Sequence, residues 1–378
     1  MLKERVKIGI DAREFVATTT GIARLLRGLF ERLPLLRPKW HFIFYGNKET
    51  VLPFHSPNSR LVRIPQRCTP WWDQVTLANS LRKEKADLFF SPYYKVPFFS
   101  PCPVVHMIHD LIPLTNPSYR GMRYLVARLA LSVLGKLYAR RAAVTLTDSL
   151  YTKEILLERF HLPDRKVQVV TPGIETRFSP LKGHGSFERI ALAYCLRKPY
   201  LLYVGNFKPH KRVDCMIRAF AGLSERIRQT TQLVLAGRRS PETKALERLV
   251  DTLRLRDQVL FTGFIAEEDL QALYGGATLF VFPSSDEGVG LPPLEAMACG
   301  VPVVSSRAAS LPEILGPAAV FVEPGNIRHF TQEMETLLGD AGERQRRSQM
   351  GLEQAKRFSV ETQCQLFLSV LDRVLVGC

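Results

Sequence analysis

Short β-rich apolar runs alternate with helical stretches along most of this chain, and that rhythm constrains its fold more than any other feature. Runs too apolar to be half-solvated, separated by segments long enough for a crossover helix, form parallel sheets covered on both faces. In the first half the predicted strands are 6–11, 40–45, 61–64, 87–90, 104–108, 143–147 and 167–170, with helices over about 20–33, 72–85, 119–141 and 149–160. The second half repeats the scheme with strands 200–204, 232–236, 258–261, 277–282, 301–304 and 318–322. Between them, 179–198 breaks the rhythm at Pro180, Gly183 and Gly185 and reads as a linker with a short excursion. A chain of 378 residues can bury two sizeable cores. The expectation is α/β: two Rossmann-like domains, 1–180 and 181–357, followed by a terminal helical segment, 358–378.

Composition removes several classes. With 46% hydrophobic and 23% charged residues the chain is neither disordered nor fibrous. No window offers the ~20 uninterrupted apolar residues of a spanning helix, and the N-terminus runs straight into a strand pattern, so no cleaved signal is expected. Seven scattered cysteines without a C-x-x-C pair favour reduced thiols in a cytoplasmic setting and argue against a metal site. The charge surplus of 16 raises nucleic acid, anionic lipid or phosphorylated substrates as partners. The basic residues are spread along the chain and no nucleic-acid module is visible, which leaves a phosphorylated substrate and contact with the inner face of an anionic membrane. Arg123, Arg128, Lys136, Arg140 and Arg141 lie along one apolar helical stretch, yet at about 100° per residue they do not gather on one face. Its apolar part reads equally as core packing.

The chemistry-bearing residues cluster after predicted strands, where open parallel sheets bind ligands. The most informative run is 284–300. Here an apolar strand leads to Glu287, Gly288, Val289, Gly290 and Leu291, and Pro292 and Pro293 then open a helix containing Glu295. Bare backbone ahead of a helix N-terminus attracts phosphate, and two carboxylates eight residues apart can accept from hydroxyls on either side of it. A nucleotide-sugar has phosphates in its middle and hydroxyls at both ends.

This stretch resembles the E-x7-E signature of the retaining glycosyltransferases of family four, enzymes of the GT-B fold, with Val289 where Phe is commonest. The run 204–212 resembles the family's G-x-x-x-P-x-K segment and places Lys211 in the diphosphate role; many relatives carry arginine where Asn206 stands, so a cationic contact is missing or comes from His210, Arg212 or Arg238. His109 and Asp110 open an H-D-x-x-P segment whose histidine, in the family, orients the donor sugar; His106 should point away from it. Asp11 and Arg13, with Gly21 to Arg24, resemble the opening I-D-x-R … G-I-x-R pattern, in which Gly21 would turn backbone N–H groups toward phosphate; Arg24 reads equally as an ordinary exposed residue. The run 170–178 resembles the P-x-G hinge between domains. Trp71 with Trp72, and Tyr93 with Tyr94, line the acceptor side or simply pack.

The resemblance covers about 6–325 and implies two domains facing a cleft, with the last helix returning to the first. It implies transfer of a sugar from a nucleotide-diphosphate donor, most simply mannose from GDP-mannose, to a glycan or lipid-linked acceptor in polysaccharide synthesis. His109, Lys211 and Glu287 would be catalytic. Lys211 and the Gly288–Leu291 backbone would hold the diphosphate, Glu287 the sugar hydroxyls and Glu295 the ribose, with Gly263 and Phe264 near the base. No cofactor or metal is called for. No second carboxylate suits a double displacement, so a front-face route fits better. A UDP-sugar-dependent transferase, a nucleotide-sugar epimerase and a non-catalytic GT-B partner subunit are the alternatives; an NAD enzyme lacks its G-x-G-x-x-G fingerprint.

Overall fold

The computed structural model describes residues 5–16, 21–65, 72–119, 121–183 and 185–377. The chain forms two compact units. The first comprises 1–114, 120–173 and 358–378; the second comprises 115–119 and 174–357.

The first unit holds a seven-stranded parallel sheet in the order β3-β2-β1-β4-β5-β6-β7. Its strands are β1 (Lys7–Asp11), β2 (His41–Gly46), β3 (Ser59–Arg63), β4 (Leu88–Ser91), β5 (Val104–Met107), β6 (Val144–Thr147) and β7 (Val167–Val169). The second unit holds a six-stranded parallel sheet in the order β10-β9-β8-β11-β12-β13. Those strands are β8 (Tyr200–Val204), β9 (Gln232–Ala236), β10 (Val259–Gly263), β11 (Leu279–Phe282), β12 (Val303–Ser306) and β13 (Val320–Val322). Every strand expected from the alternation is present, displaced by a residue or two at most ends. The helices that matter below are α1 (Gly21–Leu36), α2 (Met122–Ala130), α3 (Lys136–Arg141), α4 (Gly185–Tyr194), α5 (Val213–Ala221), α6 (Leu291–Ala298) and α7 (Val360–Val376).

Phe30 of α1, Phe44 of β2, Phe90 of β4 and Phe367 of α7 form an edge-to-face cluster with centroids 4.9 to 6.3 Å apart. Each such pair adds roughly 0.5–1.5 kcal/mol beyond its buried area. The cluster explains why α7 packs in the first unit, and the Arg37–Asp372 ion pair at 2.7 Å ties its far end. The close approach of α7 also explains Gly173. A Cβ there would lie 2.4 Å from the Val360 Cα, so no side chain fits, and the Gly173 N–H donates to Gln363 Oε1 at 3.1 Å.

One expectation fails. The supposed linker 179–198 contains α4, a ten-residue helix. Ile190 is fully buried, and Phe187 stacks on Tyr200 with centroids 6.2 Å apart. Gly183 and Gly185 lower local helix propensity, and tertiary burial of this one face overrides them.

A buried carboxylate–lysine pair at a strand–turn–helix

In the second unit, β11 ends at Phe282 and the chain turns through 283–290 into α6. Gly290 makes the turn possible with φ +82°, a left-handed conformation that costs other residues roughly 1–2 kcal/mol. Leu291, Pro292 and Pro293 then start α6; the prolines carry no N–H, so of these three only Leu291 offers a backbone donor. Hydroxyls hold the turn rigid. Ser284 Oγ donates to the Asp286 carbonyl at 3.1 Å, Ser285 Oγ to the His210 carbonyl at 3.1 Å, and Ser310 Oγ to the Glu287 carbonyl at 2.9 Å.

Lys211 lies on a short turn, Pro209–Lys211, after β8; Arg212 follows in a left-handed conformation, and α5 starts only at Val213. The expected helix start near His210 is therefore a single tight turn, which swings Lys211 away from the helix. Its Nζ pairs with Glu287 Oε1 at 2.5 Å, both side chains are largely buried, and the ammonium sits 5.3 Å from the Phe282 ring centroid. Glu295 is buried on α6, where its Oε2 accepts from the Tyr274 hydroxyl at 2.7 Å.

The neighbouring residues divide. Arg238 stacks over Phe264, 5.3 Å from its centroid, beside Gly263 at the end of β10; Phe264 stays half exposed. Asn206 is exposed, and its carbonyl accepts from the Tyr203 hydroxyl at 2.7 Å. Val289 is buried, while Gly288 belongs to the turn. Arg212 donates to Cys215 Sγ at 2.9 Å. Burial first, then the charges of Lys211 and Lys208, push His210 down to about 3, which disfavours it as the substitute cation considered above.

Local sequence reasoning missed what holds His210. Residues 115–119 belong to the second unit, and Tyr119 shares a hydrogen bond of 2.5 Å between its hydroxyl and His210 Nδ1. Thr115 Oγ1 donates to Asp286 Oδ2 at 2.6 Å, and Asn116 Nδ2 to Ser285 Oγ at 3.2 Å. Asn116-Pro117 carries a local turn signal, but the partners of Thr115, Asn116 and Tyr119 lie 91 to 171 residues away.

In the first unit, His109 follows β5 and its Nδ1 hydrogen-bonds Asp148 Oδ2 at 2.7 Å, just beyond β6. Burial works against the charged imidazole, but the Asp148 carboxylate outweighs it, and His109 holds its proton above the usual 6.5. His106 is fully buried on β5 with Nε2 bonded to Thr145 Oγ1 at 2.9 Å, a core position. Arg13 is sandwiched between Asp11 at 2.5 Å and Asp73 at 2.7 Å, so the opening motif is an internal ion-pair network. Gly21 begins α1 and is exposed; Thr18 to Thr20 and Trp71 lie outside the described residues. Among the described residues no three His, Cys, Asp or Glu side chains are grouped to hold a metal ion, and no helix is long and apolar enough to cross a membrane.

Two Rossmann-like parallel-sheet units, the second with a glycine turn ahead of a helix, have the fold of the GT-B glycosyltransferases. Residues 20–178 match the model of Glycosyltransferase Family 4, and 189–354 that of Glycosyl transferases group 1. The chain is 30% identical over 290 residues to O-antigen chain mannosyltransferase B of Escherichia coli, covering 75% of this chain and 74% of that protein. It is also 30% identical over 287 residues to the serotype-specific mannosyltransferase WbdA of Escherichia coli, where it spans 34% of the longer relative. Among solved structures it is similar to sucrose-phosphate synthase from Thermosynechococcus elongatus, with TM-score 0.81 at 20% identity over 99% of this chain and 100% of that one. WaaG, a glycosyltransferase involved in lipopolysaccharide biosynthesis, gives 0.73 at 18% identity, over 95% and 98%. This chain belongs to glycosyltransferase family four.

Proposed function

We propose that this protein transfers a mannosyl residue from GDP-mannose, with retention at the anomeric carbon, to a glycan or lipid-linked acceptor in the synthesis of an O-antigen-type polysaccharide, at the cytoplasmic face of the cell membrane. The observation that carries the reading is the buried Lys211–Glu287 pair beside the Gly288–Leu291 turn, in a chain related to O-antigen mannosyltransferases. An ammonium has three N–H donors and Glu287 takes one, so two remain for the leaving diphosphate. The start of α6 adds the Leu291 N–H and the favourable end of the helix dipole.

In the proposed step the acceptor hydroxyl approaches on the face the diphosphate leaves. The anomeric C–O bond to the diphosphate breaks, the departing oxygen takes the acceptor's proton, and the new C–O bond forms on the same face. Lys211 and the turn stabilise the charge on the leaving group, Glu287 holds sugar hydroxyls, and His109 orients the sugar. Glu295, buried on α6, would accept from the ribose hydroxyls, with Gly263, Phe264, Arg238 and Asn206 serving the base and outer phosphate.

The test is product mass spectrometry after incubation with a panel of nucleotide-sugars and a membrane lipid extract, followed by NMR of the new linkage. An α-mannosyl product from GDP-mannose is expected; a β-linked product overturns retention. Calorimetric titration with GDP, UDP and ADP settles the base, and tighter binding of UDP than of GDP assigns a UDP-sugar instead.

A further inference from the structure

Among its described residues helix α2 has no buried side chain, although its sequence is mostly apolar. A five-residue π-helical turn, Leu131–Gly135, joins it without a break to α3. The joined helix is fastened to the first unit on one side only, through Leu131, Gly135, Tyr138 and Ala139. At about 100° per residue, Met122, Leu125, Val126, Leu129, Val133 and Leu137 fall within roughly 120° of each other on the opposite side. All six are exposed, Leu129 at 66% and Met122 at 75%. The alternative of core packing therefore fails for this face. A continuous apolar stripe of this length in water marks a surface that something else covers.

Charge identifies what covers it. From 111 to 147 the sequence has no aspartate or glutamate and has six arginines and lysines. Arg128, Arg140 and Arg141 are exposed along the helix, and Arg141 Nε donates to the Phe98 carbonyl at 2.8 Å. Phe99, the residue after that carbonyl, is also 79% exposed. An apolar stripe on a segment whose own charges are all positive matches the interface of an anionic bilayer, where side chains enter the acyl boundary while arginines meet headgroups. A protein partner would need an apolar groove with an acidic rim. A second copy of this chain would set the arginines of one stripe against those of the other.

We infer that the exposed face of 122–141 is a docking surface for an anionic lipid membrane, lying flat along it. This surface is separate from the donor-binding turn, so its failure would leave the proposed reaction intact.

Flotation of the full chain with vesicles of phosphatidylcholine alone, or with 30% phosphatidylglycerol, tests it at low and high salt. About one third anionic lipid is ample for attraction worth ~1 kcal/mol per surface arginine. The wild-type protein should co-float with anionic vesicles and not with neutral ones, less so at high salt. L125Q/V126Q/L129Q should reduce the bound fraction at least tenfold without changing the melting temperature, because these side chains are exposed. The charge variant Arg128→Glu should weaken binding severalfold and flatten the salt dependence. Co-flotation of the triple variant at the wild-type level overturns the inference. Absence of flotation at low salt also overturns it, as does a wild-type dimer in light scattering that the triple variant converts to a monomer.

Discussion

Removing the Glu287 carboxylate should separate the two roles of the buried pair. In Glu287→Ala the proposed contacts to sugar hydroxyls, which would tighten as ring charge develops, are removed, and such contacts act in the transition state more than in ground-state binding. Turnover should fall at least about a hundredfold, equivalent to about 2.7 kcal/mol of barrier. The same change strands the Lys211 ammonium where both side chains were mostly shielded from water. Breaking one side of a buried pair typically costs about 3–5 kcal/mol of stability. Because Lys211 retains some exposure, the lower end of that range is expected here. Glu287→Ala/Lys211→Met removes the stranded charge and should recover most of the lost stability. It should not recover turnover, since the leaving group then loses its cation too. Chemical denaturation gives the stability terms, and initial rates at saturating donor give turnover. Binding of free GDP, which carries no sugar, should change little in Glu287→Ala. Near-normal turnover in folded Glu287→Ala would refute the assignment to the donor sugar, and recovery of turnover in the double variant would show that neither the carboxylate nor the ammonium acts in the reaction.

Glu295→Ala should weaken GDP binding and also cost about 1–3 kcal/mol of stability by removing the carboxylate that accepts from the buried Tyr274 hydroxyl; unchanged GDP affinity by calorimetry would remove Glu295 from the ribose. Gly290→Ala should cost about 2 kcal/mol in denaturant melts, since φ is +82° and the new Cβ would sit 2.5 Å from Leu311 Cδ2; a loss under about 0.5 kcal/mol would contradict the turn geometry. His109 binds its proton more tightly folded than unfolded, so its contribution to stability is complete below 6.5 and fades as pH rises through the higher folded value; Asp148→Asn should abolish that alkaline loss in pH-resolved melts. His210 behaves oppositely. Its stability is present above 6.5 and lost as pH falls toward about 3, a loss that His210→Gln should reduce.

Local sequence determined a good deal of this protein. Period and apolar runs set thirteen strands in two parallel sheets, because a strand buried on both faces carries that pattern whatever its neighbours are. The turn ahead of α6 was equally legible, since glycine and proline restrict the backbone from within a few residues. Where a local signal was weak, as in α4, the helix exists because Ile190 and Phe187 find a surface to cover. Other features existed only once the chain had folded. Lys211 meets Glu287 across 76 residues, and Tyr119 meets His210 across 91. His210 is neutral because burial and two lysines surround it, although its sequence setting among basic residues suggested a cation. The helix 122–141 reads as core or interface from its sequence alone; only the packing of Leu131, Gly135, Tyr138 and Ala139 decides which side faces water. Backbone preference is a property of a residue and its near neighbours, whereas charge state, exposure and long-range pairing are properties of whatever the fold brings alongside.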